Sequence, residues 1–143
     1  MKALIDTNVL MDFVDDRIEF INAAEKVFTI CSDGRTDGYV SAHSLMDICY
    51  LVRKKKTQQE RIEMLQDLCD IFTVVETTGE AILTAAESMD FSDFEDSVVN
   101  QAAVRAGVNY IVTRNQGDFK AADIPVVSPI EFIEMLGETL DEE

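Results

Sequence analysis

At 143 residues, 47% apolar and 28% charged, the chain has the size and composition of one globular domain, not of a disordered or fibrous protein. Its 28 acidic against 12 basic side chains leave a net charge of −16, which excludes a protein that holds nucleic acid on a broad basic surface. No apolar run reaches the roughly 18 residues a membrane span needs, and Cys31, Cys49 and Cys69, without paired spacing, read as reduced core thiols of a cytoplasmic protein.

The first element is a short buried strand, KALI (2–5), ending on Asp6. So few apolar residues precede that aspartate that no secretory leader is expected. A helix follows from about Val9, with Asp12 expected on its surface, and a second is predicted over Ile18–Cys31. GYVSA (38–42) reads as a strand and SLMDICYLVRK (44–54) as a helix. That helix is apolar nearly all round, so it is expected to be buried on most sides, with Asp47 its lone carboxylate. Asp47 therefore needs a partner: an arginine such as Arg53 or Arg61, a backbone amide, or a metal. His43, one turn earlier, reads as a capping or packing residue with a ligand as the alternative, and the run Arg53-Lys54-Lys55-Lys56 as the cationic end of the helix with a phosphate contact as the alternative.

Thr57 and Glu60 make a capping box before a helix with Ile62, Leu65, Leu68 and Cys69 as its apolar face. IFTVV (71–75) is a β-branched strand and Gly79–Ser88 is helical. Ser92 and Glu95 form a second capping box, opening a helix that Gly107 stops. NYIVT (109–113) and PVVS (125–128) are strands, and Ser128, Pro129 and Glu131 start a last helix. Strands alternating with helices predict an α/β fold, a three-layer domain with a central parallel sheet flanked by helices. No linker or repeat divides it, so residues 1–143 form a single domain, with about 137–143 a frayed acidic tail.

The carboxylates fall where such sheets bind ligands, beyond the C-terminal ends of strands. Asp6 closes the first strand; Thr113 closes NYIVT, with Asn115 and Asp118 just beyond. At about 100° per residue, Asp93, Asp96 and Asn100 share one stripe of their helix, while Glu95 points elsewhere. Carboxylates converging without cations repel and raise one another's pKa. Mg²⁺ or Mn²⁺, one or two ions, would relieve this, because hard cations take oxygen ligands.

Four segments carry a family resemblance: ALIDTNVLMDF, VSAHSLMDICYLVRK, DFEDSVVNQAAVRAG and NYIVTRNQGDF. In this order they resemble the PIN-domain nucleases, whose small bacterial members include the VapC-type toxins. The resemblance implies Asp6, Asp47, Asp96 and Asp118 as catalytic metal ligands, with Asp93 a further candidate, and Thr113 and Asn115 supporting them. It implies endonucleolytic cleavage of RNA, a small antitoxin partner and a homodimer. Arg114 and Lys120 flank the site as candidate phosphate contacts. Two departures stand out. Asp47 sits where the family commonly has glutamate, so its ligation would run through a water, and SVVNQ follows Asp96 where small residues are usual. The competing reading is a catalytically inactive PIN-like adaptor that keeps an acidic metal pocket.

Overall fold

Alternation at the centre of the first strand sets the layering. The computed structural model describes residues 1–88, 91 and 93–140. In β1 (Lys2–Ile5), Ala3 and Ile5 face one core while Leu4 faces another, as the two-residue period of a strand requires. Both faces are apolar, so both are covered. The first face carries α1 (Thr7–Val14), α2 (Ile21–Ser32), α3 (Ala42–Leu51), α4 (Gln58–Ile71) and α7 (Pro129–Met135). The second carries α6 (Phe94–Ala106), with α5 (Gly79–Glu87) packed on it.

Beside β1 lie β2 (Asp37–Ser41), β3 (Thr73–Val75), β4 (Tyr110–Val112) and β5 (Val126–Val127). Among the described residues the sheet has five parallel strands in the order β3-β2-β1-β4-β5. The chain builds outward from β1 to β3, then returns to add β4 on the opposite side of β1. Between β1 and β4 the strand order reverses, and a crevice opens there at the carboxyl ends. This is the expected three-layer α/β architecture. None of its helices is long and apolar enough to cross a membrane among the described residues.

Several elements follow the local chemistry read above. Thr57–Glu60 and Ser128–Glu131 each form both halves of a capping box, and Gly107 ends α6 in the left-handed region at φ 65°. The Ser92 part of the third expected box lies outside the described residues; the N-cap of α6 is Asp93, whose side chain accepts from the Glu95 amide at 2.9 Å.

Other expectations are corrected. α2 starts at Ile21, not Ile18, because Arg17 N–H donates to Asp12 and Phe20 N–H to Arg17, closing turns that leave Ile18 at 91% exposure. α3 is not buried on most sides: Leu45 and Ile48 point inward, while Met46, Tyr50 and Leu51 are exposed. α4 turns Met64, Leu65, Leu68 and Ile71 to the core and leaves Ile62 and Cys69 outside. Of the three thiols, Cys31 is buried and Cys69 is exposed. At the far end, Glu138 pairs with Lys26 at 2.8 Å and with Arg35, and Leu140 packs against the first core.

Candidate active site: an acidic cavity at the strand-order switch

Asp6 follows the last residue of β1 and is the N-cap of α1. Its amide donates to the Val112 carbonyl at 3.0 Å, so β4 fixes its backbone. Its Oδ1 accepts the Thr7 amide at 2.8 Å, while Oδ2 accepts the Thr113 hydroxyl at 2.8 Å and the Asn8 side-chain amide at 3.2 Å. Asp6 is 5% exposed. Burial pushes its carboxyl up, the hydrogen bonds from Thr113 and Thr7 pull it down, and the nearby Asp118 charge pushes it up again.

Asn8 is the hub that the sequence reading missed. Its Nδ2 also donates to Thr113 Oγ1 at 3.0 Å, and its Oδ1 accepts the Arg114 amide at 3.2 Å. Thr113 Oγ1 in turn accepts the Asn115 amide at 3.1 Å. One asparagine thus joins α1 to the loop after β4. That loop runs into a 3₁₀ turn, Gln116–Phe119, which carries Asp118 and is anchored by the buried Phe119.

A cavity of about 280 Å³ opens beside Asp6. Six carboxylates line it: Asp6, Asp47, Asp93, Glu95, Asp96 and Asp118; Asn8, Asn115, His43 and Arg17 share the wall. The structure thus brings the four acids predicted from sequence to one cavity, with Asp93 and Asn115. Asp96, in the first turn of α6, takes the strain: burial first, then the charges of Asp6, Asp93, Asp118 and Glu95, push its carboxyl up to about 7. Six acids with one permanently charged partner on the wall favour a cation. Asp6, Asp96 and Asp118 offer oxygen donors of the kind a divalent cation takes, while the one triple of ligand atoms within 4.8 Å of one another among the described residues is His43, Asp47 and Glu95.

Not every candidate is where it was expected. Arg114 is not available to a phosphate: its Nε and Nη2 bind Asp12 at 2.6 and 3.0 Å, and its guanidinium stacks on Phe20 at 3.8 Å. Asp12, expected on the surface, is 1% exposed because that pair holds it inside, with Arg17 adding a contact at 3.5 Å. Lys120 is exposed beyond the cavity wall. Asn100 leaves the stripe shared with Asp96 and instead clamps Asp123 through both its amide atoms at 3.3 Å. Glu95 faces the cavity rather than capping, with Oε1 3.9 Å from His43 Nε2. Asp47 meets neither Arg53 nor Arg61; its ligand atom lies within 4.8 Å of His43 and Glu95. The spacing of His43 and Asp47, four residues apart on α3, was the available signal for that grouping.

Comparison with known proteins agrees with this fold. A family model for the PIN domain matches residues 2–117. A comparison with curated protein sequences found no match. Among solved structures, VapC20 of Mycobacterium tuberculosis, a sarcin-ricin loop cleaving toxin, superposes with a TM-score of 0.68 at 16% identity, covering 85% of this chain and 95% of that one. VapBC2 of Rickettsia felis, bound to a promoter DNA fragment, gives 0.66 at 13% identity, covering 90% and 98%. A toxin–antitoxin complex of Klebsiella pneumoniae gives 0.65 at 21% identity, covering 89% and 97%.

Proposed function

The chain belongs to the PIN-domain family, and from that premise we propose that it is a metal-dependent endoribonuclease, the toxin-type member of a toxin–antitoxin pair. The observation that carries the proposal is the acidic cavity at the strand-order switch, where burial and then the carboxylates around it push the Asp96 carboxyl up to about 7.

Asp6, Asp96 and Asp118 would hold a Mg²⁺ or Mn²⁺ ion, one or two in number, with Asp47 and Asp93 at the margin. Such an ion supplies an acidified water and neutralises charge developing on a phosphodiester. The chain's own contribution is orientation. Thr113 and Asn8 hold the Asp6 carboxylate in one rotamer before any ligand arrives, and Asn115 is tied to the same hydroxyl. Near pH 7 a proton can reside on Asp96, which couples ligand entry to proton release. No side chain needs to act as nucleophile. RNA is the substrate we infer, since VapC20 is a loop-cleaving toxin of the same fold.

The antitoxin belongs to the same proposal, supported by neighbours that are toxin–antitoxin complexes. A groove between α1, α2 and α4 suits it: Phe28, Met64 and Leu68 lie inside, and Asp16, Glu25, Glu63 and Asp67 rim it. Those acids match a basic amphipathic segment. A homodimer is part of the proposal as well.

The test is cleavage of total bacterial RNA with Mn²⁺, comparing wild type with Asp6→Asn and an EDTA blank. Discrete products from wild type alone are expected. Equal cutting by both proteins, or silence from wild type on structured and single-stranded RNA alike, would overturn the nuclease reading and leave the inactive adaptor.

A further inference from the structure

The six acids of the cavity divide into two groups. The charges acting on Asp96 come from Asp6, Asp93, Asp118 and Glu95. Asp47 instead faces His43, and Glu95 stands between the two sets. Among the described residues, His43, Asp47 and Glu95 are the one group of three whose ligand atoms all lie within 4.8 Å of one another.

We propose that His43, Asp47 and Glu95 form a second cation site on the cavity wall, one that selects a borderline transition-metal ion, Zn²⁺ ahead of Mg²⁺. The elements supply the geometry. His43 and Asp47 stand one turn apart on α3 and so share a face. The Ser41 side chain caps that helix and accepts the His43 amide at 3.1 Å, which fixes the backbone below the imidazole. Glu95 reaches across from the first turn of α6, putting Oε1 3.9 Å from His43 Nε2. Tetrahedral zinc with bonds of about 2.0–2.1 Å brings ligand atoms to about 3.4 Å of one another. Closing that contact asks for a shift of about 0.5 Å, and the half-exposed Glu95 side chain can make it by rotation.

Chemistry decides the ion. An imidazole nitrogen with two carboxylates suits Zn²⁺, whereas a site for Mg²⁺ prefers oxygen alone. Three protein ligands leave a fourth position open to water or a phosphate oxygen. The inference does not need the nuclease reading: it concerns ion binding, and its readout is the imidazole itself.

His43 is the single histidine of the chain, so its ring nitrogens give unambiguous ¹⁵N signals. Titrating the ¹⁵N-labelled full chain with Zn²⁺ in excess Mg²⁺ is expected to move the Nε2 resonance to a metal-bound position at one equivalent. Glu95→Gln and Asp47→Asn are each expected to weaken Zn²⁺ at least tenfold by the same signal; Asp96→Asn is expected to leave the midpoint within threefold. Glu95 is exposed, so its substitution does not threaten the fold. An unmoved ring in wild type, or an unchanged midpoint in both carboxylate variants, would overturn the proposal. Loss of RNA cleavage with an intact zinc signal would instead count only against the nuclease reading.

Discussion

Asp96→Asn should make the metal-free protein more stable, although it alters a residue of the proposed active site. The folded carboxyl sits near 7 against 3.8 when free. Between those values the folded chain holds a proton that the unfolded chain has released, so stability from this group is greatest at low pH and is lost as pH rises through 7. At pH 8 the shift would correspond to about 4 kcal/mol if it were fully expressed, and the water-open cavity reduces that to about 2 kcal/mol. Asparagine keeps the shape and removes the charge.

In EDTA at pH 8, the variant should therefore melt about 6 °C above wild type, taking roughly 3 °C per kcal/mol for a chain of this size. By pH 5 the advantage should shrink to about half, as wild type takes up its proton. The series stays above the isoelectric point near 4.2, where net charge vanishes. Millimolar Mn²⁺ should reverse the order, because the ion stabilises only the protein that retains its ligand. Thermal unfolding followed by circular dichroism reads all three. A variant no more stable than wild type at pH 8 in EDTA, or an advantage indifferent to pH, would refute the account of clustered charge.

Three further outcomes are expected. Asp12→Ala strands the Arg114 guanidinium and should cost about 2–3 kcal/mol in urea unfolding; a loss under 1 kcal/mol would mean the pair contributes little. Gly38→Ala places a Cβ 2.7 Å from Phe72 Cδ1 and 2.8 Å from Cys31 Sγ, so overpacking should cost about 1–3 kcal/mol in the same assay. Burial pushes the Cys31 thiol up to about 12, so at pH 8 a thiol reagent should modify exposed Cys69 in the native protein. It should reach Cys31 only after unfolding, as peptide mapping would show.

Local signals in the chain specified the fold better than the site. Capping boxes at Thr57 and Ser128, the stop at Gly107 and the buried apolar run of Ala3, Leu4 and Ile5 are properties of a few neighbouring residues, and each is realised in the structure. Asp6 was legible because an acid ending an apolar strand is expensive unless something uses it. Asp12 was not, since its partner Arg114 lies 102 residues away and only the packing of α1 against the β4 loop brings them together. Glu95 was misjudged for a similar reason. With Asp93 as the N-cap, its carboxylate has no capping duty and turns to His43 on another helix. Periodicity places a residue on a face but does not say what that face meets, which is why α3 read as buried while Met46 and Tyr50 are exposed.

The opening aspartate also shows how the site divides its work. Hydrogen bonds to a charged group contribute about 1.5–3 kcal/mol each, and Asp6 accepts three. Their sum offsets part of the several kcal/mol that burying a carboxylate costs, so the fold holds the Asp6 carboxyl in place without a metal while burial still keeps its pKa raised. Asp96 has no such support. It lies beside other acids, and its proton or a cation must offset their field. Asp118 depends on a short turn anchored by Phe119. One acid is therefore positioned by the fold and the others await a counter-charge. Removing Thr113's hydroxyl should accordingly loosen Asp6, whereas removing Asp96's charge should relieve repulsion in the metal-free state and cost the site a ligand when metal is present.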